Sequence, residues 1–364
     1  MNNLPSKFDP SEGHKAENVS MMYFGKLKVH PLAAYTVLGT LTIILFILFS
    51  YLGLSYRVPQ QISMLSGRNT KEPVFAPERS RETANLISKL KYYGLWNFPV
   101  PEEVPPFFIK SYPADLNTVQ DISVKKKIFI NSLLPHALFV RQEALQRRAK
   151  LESILSKIDC TVGSLDFGNE LEDENQCPWT DFLKEEDVNF IQNLSKNYRT
   201  TSAETLLERV DAVPTSIILA QGALESSWGS SRFTREGNSI FGMWTWKTRG
   251  IVPSRRDEGK THKVKVYESI LDSVRAYHLT LNRLDPYEEF RHLRTNTDDP
   301  LIIAEGLKLY SERGEDYVED IKKVIISNDL QRYDSYRLID LDLPELTLPF
   351  SGDIKLAEPG KAPL

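Results

Sequence analysis

The chain has 364 residues, 41% hydrophobic and 26% charged, with a formal net charge of -4. That is longer than one average domain, with the composition of a globular protein able to bury a core. The mild acidity leaves no basic stripe for nucleic acid. The six histidines are scattered without zinc-ligand spacing, so neither a metal nor a cofactor is expected.

In chain order, residues 1–31 form a short tail carrying Lys7, Lys15, Lys26 and Lys28. Residues 32–54, from Leu32 to Leu54, contain no charge. At about 1.5 Å per residue such a run crosses the ~30 Å hydrocarbon core of a membrane. It has no polar stripe and no A-x-A site after it, so the spacing predicts an uncleaved transmembrane helix rather than a buried helix or a signal peptide. The lysine-bearing tail is placed inside and the remaining chain outside the cytoplasm, although Arg57, Arg68 and Lys71 weaken the charge bias.

Residues 55–106 are rich in proline, serine and charge, and read as a stalk with one helix around Arg81 to Tyr93. Residues 107–184 read as a helical extension. Val124 to Ser156 has helical periodicity interrupted at Pro135, with Phe129, Leu133, Leu134, Leu138, Phe139 and Leu145 on one buried face. Cys160 and Cys177 flank the acidic run Glu170 to Glu174. In an oxidising compartment a disulfide could close this loop; two unrelated thiols are the alternative.

Residues 185–336 form the structured core, and residues 337–364 a proline-rich extended tail. Pro214 can open a helix and Gly229 close it, with Ile217, Ala220 and Leu224 on a buried face. Ser239 to Lys247 and His262 to Tyr267 alternate like strands around Gly250, Pro253 and Gly259. Helices are expected over Leu271 to Leu284 and Leu301 to Glu312, the second capped by Asp298 or Asp299 with Pro300 at its start. The pattern is mainly helical with a small antiparallel lobe, and a cleft between the two is a natural site.

Chemistry concentrates at residues 220–229, AQGALESSWG. Glu225 falls in the last turn of its helix, where the dipole disfavours a carboxylate, and Trp228 would add desolvation. Both effects raise its pKa and suit a general acid; an ordinary surface glutamate is the bland alternative. Gln221 and Ser226 on the same helix, with Trp228, Asn238, Phe241, Trp244 and Trp246, make a candidate sugar-binding trough, some of whose aromatics must be core. Asp257 and Glu258, among cations at the hairpin tip, offer a second, ionised acid unless the turn is merely solvated. Tyr310 points its hydroxyl at the cleft or is a half-buried helix aromatic. Residues 254–261, SRRDEGKT, imitate a nucleotide-binding loop, but the first glycine is missing and two acids occupy the phosphate positions.

These residues resemble the glucosaminidase family of bacterial wall hydrolases (mannosyl-glycoprotein endo-beta-N-acetylglucosaminidase-like), and its Bax-like branch in particular. The likeness is carried by AQGALESSWG at 220–229, NSIFGM at 238–243, THKVKVYES at 261–269 and FINSLLP at 129–135. It implies a lysozyme-like α+β fold and endo-β-N-acetylglucosaminidase cleavage of peptidoglycan glycan strands; the orientation read from the anchor places that domain on the periplasmic side of the bacterial inner membrane. It implies Glu225 as acid, Glu258 as second acid and Tyr310 as the family tyrosine. Ser239 in place of a second asparagine and the missing Thr-Asp-Pro after Tyr310 depart from the pattern. A lytic transglycosylase on the same fold and a non-catalytic wall-binding protein are the alternatives.

Overall fold

The computed structural model describes residues 22–24, 27–29, 82–97, 100–168, 177–254, 256 and 258–339. The apolar run 32–54, the acidic run 170–174, Asp257 and the tail beyond 339 lie outside the described residues. Among the described residues no helix is long and apolar enough to cross a membrane. The chain divides into two units, Met1–Thr70 and Lys71–Leu364. In the first, β1 (Met22–Phe24) and β2 (Leu27–Val29) pair antiparallel.

The second unit is mainly helical. Its first helix, α1 (Thr83–Tyr92), buries Leu86 and Leu90, and the chain after it buries Leu95, Val100 and Val104 in the main core. These residues were expected in a stalk. They are instead part of the folded body, because their short apolar islands are buried in the main core, where α1 packs on the long helix that follows. That helix is α2 (Ile122–Leu155), capped by the Asp121 carboxylate accepting from the Ser123 and Val124 amides.

The expected break at Pro135 is absent, and α2 runs through it. A proline inside a helix costs about 3 kcal/mol. Every residue from Ile128 to Val140 is buried, and each fully buried large apolar side chain contributes roughly 1.5–3 kcal/mol, so packing outweighs the lost bond. The polar side chains of this turn are also satisfied. Asn131 donates to the Leu95 carbonyl, and the ring nitrogens of His136 lie 2.9 and 3.1 Å from the carbonyls of Ser132 and Ile109.

Two cores share α2. Around its N-terminal half, α5 (Thr215–Ser226) and α7 (Ile270–Arg283) complete the main core. Gly222 permits the α2–α5 approach: a β-carbon there would lie 3.1 Å from Leu133, 3.2 Å from Ile240 and 3.3 Å from Phe129. Arg275 of α7 forks onto the buried Glu143 of α2. Around the C-terminal end of α2, α3 (Glu185–Tyr198) and α4 (Ala203–Arg209) enclose Leu151, Ile154, Phe167, Trp179, Ile191 and Leu206. Cys160 and Cys177 are bridged at the edge of this second core, with Cα atoms 6.3 Å apart.

The lobe expected as a hairpin has three strands. β6 (Lys263–Lys265) lies between β4 (Trp244–Thr245) and β5 (Gly250–Ile251), antiparallel to both. Of the helices expected later, α7 is present, followed by α8 (Glu288–Asn296). The next is short: α9 (Pro300–Ile303), capped by Asp299, passes into a 3-10 turn at Ala304–Leu307 and stops before Tyr310. Gly306, within that turn, sits so tightly on the Phe290 backbone that a β-carbon would come within 2.3 Å. A further helix, α10 (Glu315–Ser327), begins after Gly314, which takes a φ of 54°. Finally β7 (Arg337–Leu338) pairs in parallel with β3 (Glu103–Val104), so the first residues read as tail are part of the fold.

Candidate active site

Glu225 lies in the last turn of α5, as its spacing from Pro214 indicates. Both ends of that helix are held. At the start, the Asp334 carboxylate accepts from the Ser216 amide at 2.8 Å and its hydroxyl at 2.6 Å. At the end, Ser227, Trp228 and Gly229 all adopt left-handed backbone, turning the chain sharply away. Left-handed geometry at a residue with a β-carbon costs roughly 1–2 kcal/mol. Here the turn is closed by the Trp228 amide donating to the Ala223 carbonyl at 2.9 Å and the Gly229 amide to the Ser226 hydroxyl at 2.8 Å. Glu225 is thereby presented at a helix end that cannot continue over it.

Its carboxyl is half-buried, and burial raises its pKa from 4.5 to about 7, with the Tyr317 hydrogen bond and then the Arg313 charge opposing. Tyr317, in the first turn of α10, donates to Glu225 Oε1 at 2.8 Å. Behind it stands a directed chain: Tyr277 donates to Gln221 Oε1, and Gln221 Nε2 donates to the Tyr317 hydroxyl at 2.9 Å. Burial keeps the Tyr277, Tyr310 and Tyr317 phenols well above their ordinary pKa, so they stay protonated and available as donors. With Oε1 already accepting, a neutral Glu225 carries its proton on Oε2, and the carboxylate left after donation keeps one strong hydrogen bond. Both the burial and its opposition tune an acid to neutral pH.

The aromatic residues divide into core and surface. Phe241 is 2% exposed and its ring stacks on Tyr277 at 3.9 Å, so it supports Gln221 from within and offers no face to a ligand. Gln221 and Ser226 are likewise buried and internally bonded, Gln221 to two tyrosines and Ser226 to the Gly222 carbonyl and Gly229 amide. These three are supports rather than substrate contacts, because no side-chain atom is left for a ligand. Asn238 ends α6 (Arg232–Gly237) in left-handed geometry, and its amide clips the Tyr267 carbonyl at 3.1 Å, fixing the β lobe to the helical body. Trp228 is half-buried, edge-on to Phe129, with the Lys126 ammonium 4.9 Å above its ring. Trp244 stacks on His262 at 4.2 Å and has its indole N–H buried with no partner among the described residues. Trp246, 44% exposed, meets it edge-on and presents an open ring on the lobe.

Tyr310 is half-buried, donates its hydroxyl to the Phe241 carbonyl at 3.0 Å and stacks on Tyr317 at 5.6 Å. The tyrosine bonded to Glu225 is therefore Tyr317, seven residues later, which the sequence reading passed over. No spacing rule separates the two, since the choice depends on the Ser311–Gly314 turn. Glu258 is exposed at the tip between β5 and β6, and Asp257 beside it lies outside the described residues. Arg313, whose charge steadies the ionised Glu225, was also missed; it pairs with Asp320 at 2.6 Å.

The family model described as "Mannosyl-glycoprotein endo-beta-N-acetylglucosaminidase" matches residues 200–330, a span that includes Glu225, Glu258, Tyr310 and Tyr317. Residues 200–330 are a glucosaminidase-family domain. The chain is 36% identical over 129 residues to protein bax of Escherichia coli, covering 34% of this chain and 46% of that protein. It is 30% identical over 118 residues to the peptidoglycan hydrolase FlgJ of Salmonella typhimurium, covering 29% and 35% respectively. The matched segment thus spans less than half the length of these relatives. Among solved structures, the catalytic domain of the autolysin Auto from Listeria monocytogenes aligns over 40% of this chain and 85% of its own, at 20% identity and a TM-score of 0.29. A C-terminally truncated glycoside hydrolase domain of FlgJ aligns over 38% and 97%, at 22% identity and a TM-score of 0.27.

Proposed function

We propose that the glucosaminidase-family domain is a glycoside hydrolase of the N-acetylglucosaminidase type that cleaves peptidoglycan glycan strands endolytically, with Glu225 as general acid. One observation carries this reading: a half-buried carboxyl raised to about 7 and held by a tyrosine donor sits inside the matched span. Oε2 of Glu225 delivers its proton to the glycosidic oxygen while positive charge develops on the departing sugar carbon. Tyr317 and Arg313 then stabilise the resulting carboxylate. Trp246, with Trp244 behind it, offers an aromatic face to a sugar ring, and Trp228 with Lys126 flanks the acid.

Attack from the opposite face falls to a water activated by Glu258 on the hairpin tip, or to the substrate's own N-acetyl oxygen. The exposure of Glu258 favours Glu225 acting as a lone half-buried acid, an arrangement that a lytic transglycosylase would share. Mass spectrometry of digested sacculi separates the two: reducing N-acetylglucosamine ends support the hydrolase, and anhydro-muramic ends support the transglycosylase. The uncharged run 32–54 supports a single-pass anchor in the bacterial inner membrane. The Cys160–Cys177 bridge supports an oxidising, periplasmic location for the domain.

A further inference from the structure

A cavity of about 610 Å³ opens beside the second core and shares no lining residue with the Glu225 site. Its volume lies within the range of small-ligand pockets. Only Thr200 and Thr201 of its wall fall within the family match; the remainder precedes it. The floor is Phe167, packed edge-on to Trp179 at 5.1 Å. The walls come from the last turns of α3, with Gln192, Ser195 and Lys196, and from Arg199 in the link to α4.

This wall is preformed. The Phe167 amide donates to the Thr201 carbonyl at 2.7 Å, and Arg209 clamps the carbonyls of Tyr198 and Arg199 at 2.9 and 3.2 Å. Arg199 is held in left-handed backbone, φ 56°, with its side chain exposed. Neither Lys196 nor Arg199 has an ion-pair partner among the described residues, and no acid is among the lining residues described. The nearby Asp166 has both oxygens engaged, by the Gly168 amide at 2.7 Å and the Thr201 hydroxyl at 3.0 Å. Ser195 is only 8% exposed, and its hydroxyl has no hydrogen-bond partner among the described residues. A buried hydroxyl left unmade costs about 1–3 kcal/mol, which a ligand acceptor would recover.

Two cations and a hydroxyl that lack partners among the described residues, with an amide and an aromatic floor, suit a ligand with carboxylates spaced along an otherwise uncharged body. A compact phosphate would meet the cations without using the aromatic floor, and the C-terminal end of α3, whose dipole opposes any anion, penalises a doubly charged phosphate more than a single carboxylate. We infer that this cavity binds a short carboxylate-bearing peptide. On the wall-hydrolase reading, on which this rests, the peptides borne by the glycan strands are the source, and the cavity grips a strand by its peptide while Glu225 addresses its sugars.

The test uses the purified full chain and calorimetric titration with peptides released enzymatically from sacculi, with peptide-free glycan oligomers and inorganic phosphate as comparison probes. The peptides are expected to bind more weakly as salt rises. The double variant Lys196→Gln/Arg199→Asn is expected to lose at least tenfold in affinity with its melting temperature unchanged, asparagine being tolerant of left-handed backbone. Ser195→Ala is expected to weaken binding severalfold. Phosphate binding as tightly as peptide, or undiminished peptide binding in the double variant, overturns the proposal. So does peptide binding that is absent from the parent and appears only when Glu170, Glu172, Asp173 and Glu174 are changed to amides, since the chain's own acidic run would then be the occupant. Glycan cleavage by the same preparations is scored separately: its loss with peptide binding intact removes the hydrolase reading alone.

Discussion

Glu225→Gln should stabilise the protein, with a gain that is nil in acid and grows as pH rises from 4.5 to 7. The folded carboxyl titrates at about 7 against 4.5 for the ordinary group, chiefly because burial penalises its charge. Between those values the folded state holds a proton that the unfolded state has released, so stability falls as pH rises through this window. At roughly 1.36 kcal/mol per pH unit, the interval amounts to about 3 kcal/mol, absent below pH 4.5 and complete above 7. Glutamine has the same shape, can still accept from Tyr317 and cannot ionise. The variant should therefore match the parent at pH 4 and exceed it by about 3 kcal/mol at pH 8.5, roughly 6–12 °C in melting temperature for a domain of this size. Calorimetry or thermal circular dichroism at the two pH values reads the difference. An advantage that is constant across pH, or a variant less stable at pH 8.5, refutes the raised acidity constant.

Other perturbations test the surrounding structure. Tyr317→Phe removes a hydrogen bond that lowers the Glu225 pKa, so the alkaline limb of the pH–rate profile should lie near 7 in the parent and move upward in the variant, with lower peak activity; a downward move contradicts the assigned geometry. Replacing Cys160 and Cys177 by serine opens a link of sequence separation 17 and should cost about 3 kcal/mol of stability, seen as a lower denaturant midpoint under non-reducing conditions. Deleting residues 32–54 should release the protein from the alkaline-washed membrane fraction, whereas the full chain should remain there; equal release speaks against the anchor.

Sequence reading went furthest where local rules dominate. The helix bearing Glu225, the Asp299 cap and the strand character around Trp244 and Val264 follow from capping chemistry and periodicity, and each is present. Long-range packing supplied the rest. Leu86, Leu90 and Val104 looked like islands in a stalk because only the assembled main core shows what they bury against. Pro135 reads as a break unless the helix is known to be enclosed on every side. Phe241 and Trp246 belong to the same aromatic cluster in sequence, yet one is stacked inside and the other faces out; no periodicity over so short a lobe separates them. Tyr317 rather than Tyr310 stands beside Glu225 because the helix ends early and the chain restarts after Gly314, so the tyrosine in the first turn of α10 is the one that reaches the carboxyl.

The most direct measurement is release of reducing N-acetylglucosamine ends from purified sacculi by the parent, Glu225→Gln and Glu258→Gln proteins under identical conditions. General acid catalysis contributes typically 10²–10⁴-fold, so Glu225→Gln should lose about that factor while remaining folded, and Glu258→Gln should lose less if the N-acetyl group assists. Equal release by the parent and the Glu225 variant would contradict proton delivery from this carboxyl.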